Sequence, residues 1–228
     1  VDLWKKKYKF LYEEKIKKIK KKYKNFILFN SDFATISKYY EEEITQYTPW
    51  GFEHNKNKKK RYRDDRINFA KNSYLEFLEF VKFIKEFAKN NKKQCVVIRP
   101  HPAENLNIWK ENFKDIKNIF IESPIDDVTS WIYSANIVIH RGCTTALQSM
   151  FMKKPTAFIQ LGKKFKKGKP FKEKKIIYEL SEKVHNIREF QKWINKHKIP
   201  NKQNNKLLRE LGVFREDSVY KFVKIFDK

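Results

Sequence analysis

Two short stretches of this chain combine residue types that can hold an anion. Cys95-Val-Val-Ile-Arg-Pro-His-Pro102 ends with an imidazole set between two prolines and a guanidinium two residues earlier. Proline fixes φ on either side of His101, so the ring has little freedom to lose on binding. An imidazole N–H can donate to a phosphate oxygen, and Arg99 can add a bidentate contact. An isolated His-Pro would as readily cap a helix or bond a nearby carbonyl. Here its place after an apolar strand, with a helix opening beyond Pro102, points to a phosphate or nucleotide. The second stretch is Asn136-Ile-Val-Ile-His-Arg-Gly-Cys-Thr-Thr145. Gly142 permits a sharp strand-to-helix turn, and the N–H groups from Cys143 to Ala146 open the next helix. With the hydroxyls of Thr144 and Thr145 they form an anion cradle, flanked by His140 and Arg141. The same threonines can cap the helix. The spacing is neither GxxxxGK[ST] nor GxGxxG, which speaks against a P-loop ATPase and a dinucleotide fold.

Polar clusters of this kind sit at the carboxyl ends of strands in open α/β sheets. Apolar runs supply the strands: Phe26–Phe29, 95–98, Ile119–Ile121, Ile137–Ile139 and Thr156–Ile159. Between them, apolar residues at helical spacing predict helices over Ile67–Lys89, Ala103–Phe113, Asp126–Ser134 (capped by Asp126 or Ser123) and Thr144–Met152. Strands alternating with helices predict an α/β fold with a Rossmann-like parallel sheet flanked by helices. Residues 3 to 24 read as a Lys-rich helical lead-in. Residues 33 to 65 read as irregular, with turn chemistry at Thr48-Pro-Trp-Gly51 and a charged stretch from Lys56 to Arg66, a connection long enough to be functional or poorly ordered. Lys163–Lys175 reads as a flexible basic loop, and helices near Ile187–Lys196 and Ser218–Phe226 close the domain. Glu41-Glu-Glu43 reads as a solvated acidic run.

The 228 residues can bury a full core as one large domain or two small ones. The formal charge of +25 raises nucleic acid or an anionic membrane surface as partners. Only eight of the 52 basic residues are Arg, at 61, 63, 66, 99, 141, 188, 209 and 215, leaving 52 − 8 = 44 Lys dispersed along the chain. That dispersion favours solvated surface over a nucleic-acid face and leaves peripheral contact with anionic lipid open. Two cysteines without metal spacing predict reduced thiols and a cytoplasmic protein, with the inner face of the membrane as the alternative location. No apolar run approaches the ~20 residues of a membrane span.

The run from Val96 through Ile159 resembles surface carbohydrate biosynthesis proteins and, more distantly, other glycosyltransferases with two Rossmann-like domains, the GT-B architecture. His101-Pro102 is similar to the His-Pro motif of bacterial sialyltransferases and Kdo transferases, and Thr144-Thr145 to their later Ser/Thr motif. The resemblance implies that these two motifs hold the phosphate of a CMP-sugar, with His101 as the catalytic group and Arg99, Pro102, His140, Arg141, Gly142, Cys143, Thr144 and Thr145 around the phosphate or nucleotide. It places Asn30 and Ser31 at the end of the first strand facing the cleft, and Asp126 and Asp127 near the base or ribose, where capping is their competing role. It implies no metal or other cofactor, a saccharide or glycolipid acceptor, and a general base in an amino-terminal domain. Because the sequence opens on Val1, residues 1–25 read as a linker helix from that missing domain and 26–228 as the nucleotide-sugar domain, inactive by itself. Teichoic-acid glycerophosphotransferases carry a comparable motif pair, which keeps a CDP-glycerol-type polyol-phosphate transferase open. The Lys runs at 15–24 and 163–175 keep open a basic module that binds nucleic acid or a membrane surface.

Overall fold

The computed structural model describes residues 6–33, 56–161, 177–178 and 181–197. Thr48–Gly51, Glu41–Glu43, the Lys163–Lys175 run and the expected helix at Ser218–Phe226 lie outside the described residues.

A 3-10 helix over Lys6–Tyr12 leads into α1 (Glu13–Tyr23), which buries Ile16, Ile19 and Tyr23 on one face. Then follow β1 (Phe26–Asn30), α2 (Lys56–Asn90), β2 (Cys95–Arg99), α3 (Leu106–Phe113), β3 (Ile119–Ile121), α4 (Val128–Ser134), β4 (Ile137–His140), α5 (Thr145–Phe151), β5 (Thr156–Ile159), β6 (Glu182–Val184) and α6 (Ile187–Lys196). Neighbouring strands are parallel throughout, in the order β3-β2-β1-β4-β5-β6. The expected Rossmann-like α/β sheet is therefore present.

Alternation along the strands sorts the core into two layers. Ile27 and Phe29 of β1 join Val96, Ile98, Ile139 and Ile159 against α2, α3 and α6, where Phe77, Phe80, Ile84, Phe87, Trp109 and Phe190 pack. Phe26 and Leu28 face the other way, with Val97 and Val138, against Ile19 and Tyr23 of α1 and Trp131 and Ile132 of α4. Because both faces are covered, all five residues of β1 are buried. This is why its sequence is an unbroken apolar run ending in Asn30.

Several expectations are corrected. Lys56–Arg66, expected to be irregular, opens the 35-residue α2; nothing from Lys56 to Asn90 is Gly or Pro, and Lys and Arg are good helix formers. β6 went unseen because only Val184 of its three residues is buried, so an edge strand left no apolar run to read. α3 starts at Leu106 rather than Ala103, where the Asn105 side chain accepts from Asn107 N at 2.9 Å. The cap of α4 is Asp127, not Asp126 or Ser123: its carboxylate accepts from Thr129 N at 3.1 Å, Ser130 N at 3.0 Å and Ser130 Oγ at 3.0 Å.

Candidate functional site

The chain runs outward from β1 to β3, then returns to place β4 on the opposite side of β1. Connections leave β1 and β4 in opposite directions, and ligands of open α/β sheets bind in the crevice opened at that point, outside the carboxyl ends of the strands. Register puts Arg99, Asn30 and His140 side by side at this edge, since Asn30 pairs with both of the others. Asn30 is 4% exposed and its Nδ2 donates across the reversal to Thr145 Oγ1 at 3.2 Å. Thr145 Oγ1 also lies 2.7 Å from Cys143 Sγ. Asn30, Thr145 and Cys143, predicted from separate segments, thus meet.

On the β2 side, His101 is exposed between Pro100 and Pro102. Its Nδ1 accepts from Ala103 N at 3.1 Å, so in the neutral ring Nε2 carries the hydrogen and is a donor. Its backbone N–H donates to Ser31 Oγ at 3.2 Å, tying the end of β2 to the end of β1. The helix expected to open beside Pro102 is displaced by a turn closed from Glu104 N to His101 O at 2.8 Å. Glu104 itself was missed in the sequence. Its buried carboxylate accepts from Ser31 Oγ, Phe33 N and Trp109 Nε1 at 2.7, 2.6 and 2.8 Å, and burial nonetheless pushes its pKa up. The only sequence signal was an acidic residue beside the His-Pro turn, five positions before a Trp.

On the β4 side, His140 is 0% exposed. Nδ1 accepts from Gly142 N at 3.0 Å, and Nε2 lies 3.0 Å from Ser181 Oγ, which donates onward to Ile177 O at 2.6 Å. Burial pushes its pKa down to about 3. The covered ring has both nitrogens engaged within the protein and shapes the loop that follows β4. Gly142 turns the chain at φ +92°; a Cβ there would meet Phe158 at 3.6 Å, so conformation, not space, calls for glycine. Cys143 lies under this turn, and burial pushes its thiol up to about 11, leaving it protonated at neutral pH. Thr144 is exposed and its side chain makes no capping bond to α5.

The two arginines are committed elsewhere. Arg99 is buried; Nη2 donates to Asp126 O at 2.5 Å, Nε and Nη2 reach Ser123 O at 3.4 Å, and the guanidinium lies 5.3 Å from the centre of the Trp131 ring. It ties the β3–α4 loop to the sheet. Arg141 pairs with Glu76 of α2, donates to Asp32 O at 3.1 Å and lies 4.2 Å over Phe33. It borders a pocket of about 80 Å³ beside Phe158, Gln160 and Tyr178. Asp126, expected near the cleft, pairs with Lys15 of α1 at 3.4 Å.

At this edge Asn30 is bonded to Thr145 and Ser31 to the His101 backbone, with the His101 imidazole and the Thr144 hydroxyl exposed as candidate donors. Such a site can receive an oxyanion through hydrogen bonds. Among the described residues no group of three or more His, Cys, Asp or Glu could hold a metal ion, and no helix is long and apolar enough to cross a membrane.

No protein-family model and no curated protein matches the chain. Among solved structures, the crystal structure of Methanocaldococcus jannaschii UDP-GlcNAc 2-epimerase in complex with UDP-GlcNAc and UDP is similar, at a TM-score of 0.48 and 12% identity, over 89% of this chain and 49% of that one. The chain thus spans about half the length of that protein.

Proposed function

We propose that this chain is the donor-binding half of a GT-B-like glycosyltransferase that builds a surface polysaccharide or glycolipid, with a CMP-activated acidic sugar as donor. The observation that supports the reading is the meeting of the exits of β1, β2 and β4 at the strand-order reversal, where Asn30 bonds Thr145 and Ser31 bonds the His101 backbone. A nucleotide phosphate seated there would take hydrogen bonds from the imidazole Nε2–H and the threonine hydroxyls. As the bond from sugar to phosphate breaks, negative charge grows on the departing nucleotide, and a donor already aimed at that oxygen lowers the barrier. His101 is accordingly the proposed catalytic group. The acceptor, a saccharide or glycolipid, and the base that deprotonates it are assigned to a partner domain. The choice of CMP rests on the motif resemblance.

Titration of the purified chain with CMP, CDP and UDP by calorimetry tests this, beside His101→Ala and at two salt concentrations to separate a site from general attraction to the basic chain. Saturable binding of CMP that persists at higher salt and disappears in the variant is the expected result. A preference for CDP would instead favour the polyol-phosphate transferase. Salt-sensitive binding that ignores both the base and His101 would sink the donor-site reading.

A further inference from the structure

The turn that follows His101-Pro102 is organised around one carboxylate. Oε1 of Glu104 accepts from Phe33 N at 2.6 Å, while Oε2 accepts from Ser31 Oγ at 2.7 Å and from Trp109 Nε1 at 2.8 Å. Ser31 and Phe33 belong to the exit of β1, and Trp109 to α3. Ser31 Oγ then receives the backbone N–H of His101 at 3.2 Å, and Glu104 N closes back on His101 O at 2.8 Å. The residue bearing the exposed imidazole is thereby held through both its N–H and its carbonyl.

We infer that Glu104 is the positioning residue for His101, fixing the exposed imidazole at the crevice edge by locking the exit of β1 to the exit of β2. What the positioning serves rests on the donor-site reading; the geometry does not. The chemistry demands a carboxylate. Both oxygens face donors, and Oε2 faces two of them. An amide of the same shape must turn its NH2 toward either Phe33 N–H or Trp109 Nε1–H, setting donor against donor. An acceptor-only group enclosed by neutral donors is costly to bury, because its charge is met by hydrogen bonds instead of a cation. A carboxylate that served packing alone would be replaced by an apolar side chain at no loss; this one organises three segments at the crevice edge.

The test is Glu104→Gln in protein carrying 15N-labelled histidine, read by NMR and calorimetry together. In the wild type the His101 nitrogens should report Nδ1 as acceptor and Nε2 as the protonated position. The expected result is a shift of the Gln variant toward a mixture of tautomers. Affinity for the nucleotide whose binding His101→Ala abolishes should fall about tenfold, as for loss of one buried charge-assisted hydrogen bond. Adding Trp109→Phe removes the competing indole donor, so the amide nitrogen can face Ser31 Oγ while its oxygen takes Phe33 N–H; the double variant should recover the His101 signature in part. Ser31→Ala cuts the same chain at its next link and should shift His101 even if Glu104→Gln does not fold. A Glu104→Gln protein with a lower thermal midpoint but an unchanged His101 spectrum and unchanged affinity would overturn the inference, leaving Glu104 as a packing residue. Should the wild type bind no nucleotide, the donor-site reading fails alone, and the spectra still decide whether Glu104 sets His101.

Discussion

The two walls of the crevice are built by opposite means. On the β2 side a buried acid, Glu104, gathers three donors from the exit of β1 and from α3; on the β4 side a buried base, His140, accepts from Gly142 N and engages Ser181. Burial penalises the charged form of each, so the acid is pushed up and the base down. Their responses to pH therefore have opposite signs. Relative to the unfolded chain, burial makes ionising Glu104 costlier, so the stability associated with it falls as pH rises above the ordinary carboxylate value, although the carboxylate is the form its donors hold. His140 must stay neutral when folded, so its contribution is complete above pH 6.5 and is lost as pH falls toward about 3. One wall is a charged hub and the other a neutral one, and acid acts on the neutral one by forcing a charge into it.

The contrast can be broken most forcefully through His140. Between pH 6.5 and about 3 its linkage amounts to as much as about 5 kcal/mol, at roughly 1.4 kcal/mol per unit. Urea midpoints measured across this range should fall steeply in the wild type and more shallowly in His140→Gln, which carries no titrating ring. Equal slopes would show that His140 is not the buried base. A smaller effect is expected at Gly142: Gly142→Ala should lower stability by about 1–2 kcal/mol in thermal unfolding, because φ is +92° although space exists for a Cβ. The same substitution should weaken nucleotide binding by displacing Thr144, while the His101 tautomer, set on the other wall, stays put. The smallest change in stability belongs to Thr144→Ala. Its side chain caps nothing, so stability should move by less than about 0.5 kcal/mol, and calorimetry should register the loss only as weaker nucleotide binding.

Much of this architecture was legible because a doubly covered parallel sheet writes its strands as apolar runs. Phe26–Phe29 and Ile137–Ile139 could hardly be anything else once helical spacing separated them. β6 was illegible for the converse reason, since an edge strand that buries only Val184 has no pattern to display. In the site, Asn30 meets Thr145 and the His101 backbone meets Ser31, while Thr144 stands exposed beside Thr145. Arg99, His140 and Arg141, read from residue type as ligands for an anion, are also held within the chain by Ser123 O, Gly142 N and Glu76. Sequence displays donors and acceptors but not the backbone groups and counter-ions that folding sets beside them. Glu104 escaped for the same reason, because Pro-Ala-Glu before a helix looks like surface until Ser31 and Trp109 close over it.

β1 precedes all its neighbours in the chain yet lies in the middle of the sheet, paired with β2 on one edge and β4 on the other. From Asn30 to its partner His140 is 140 − 30 = 110 residues. At 5–20 residues per second, a ribosome needs roughly 6 to 20 s to supply that second neighbour. During that interval a strand of four apolar residues and one Asn has at least one open edge and no final resting place, the condition under which chains pair with the wrong partner. Asn30, the polar residue that closes the run, later donates to Thr145 and stitches the early half of the domain to the late one. Assembly of this crevice therefore waits for β4, the second neighbour that closes the open edge of β1.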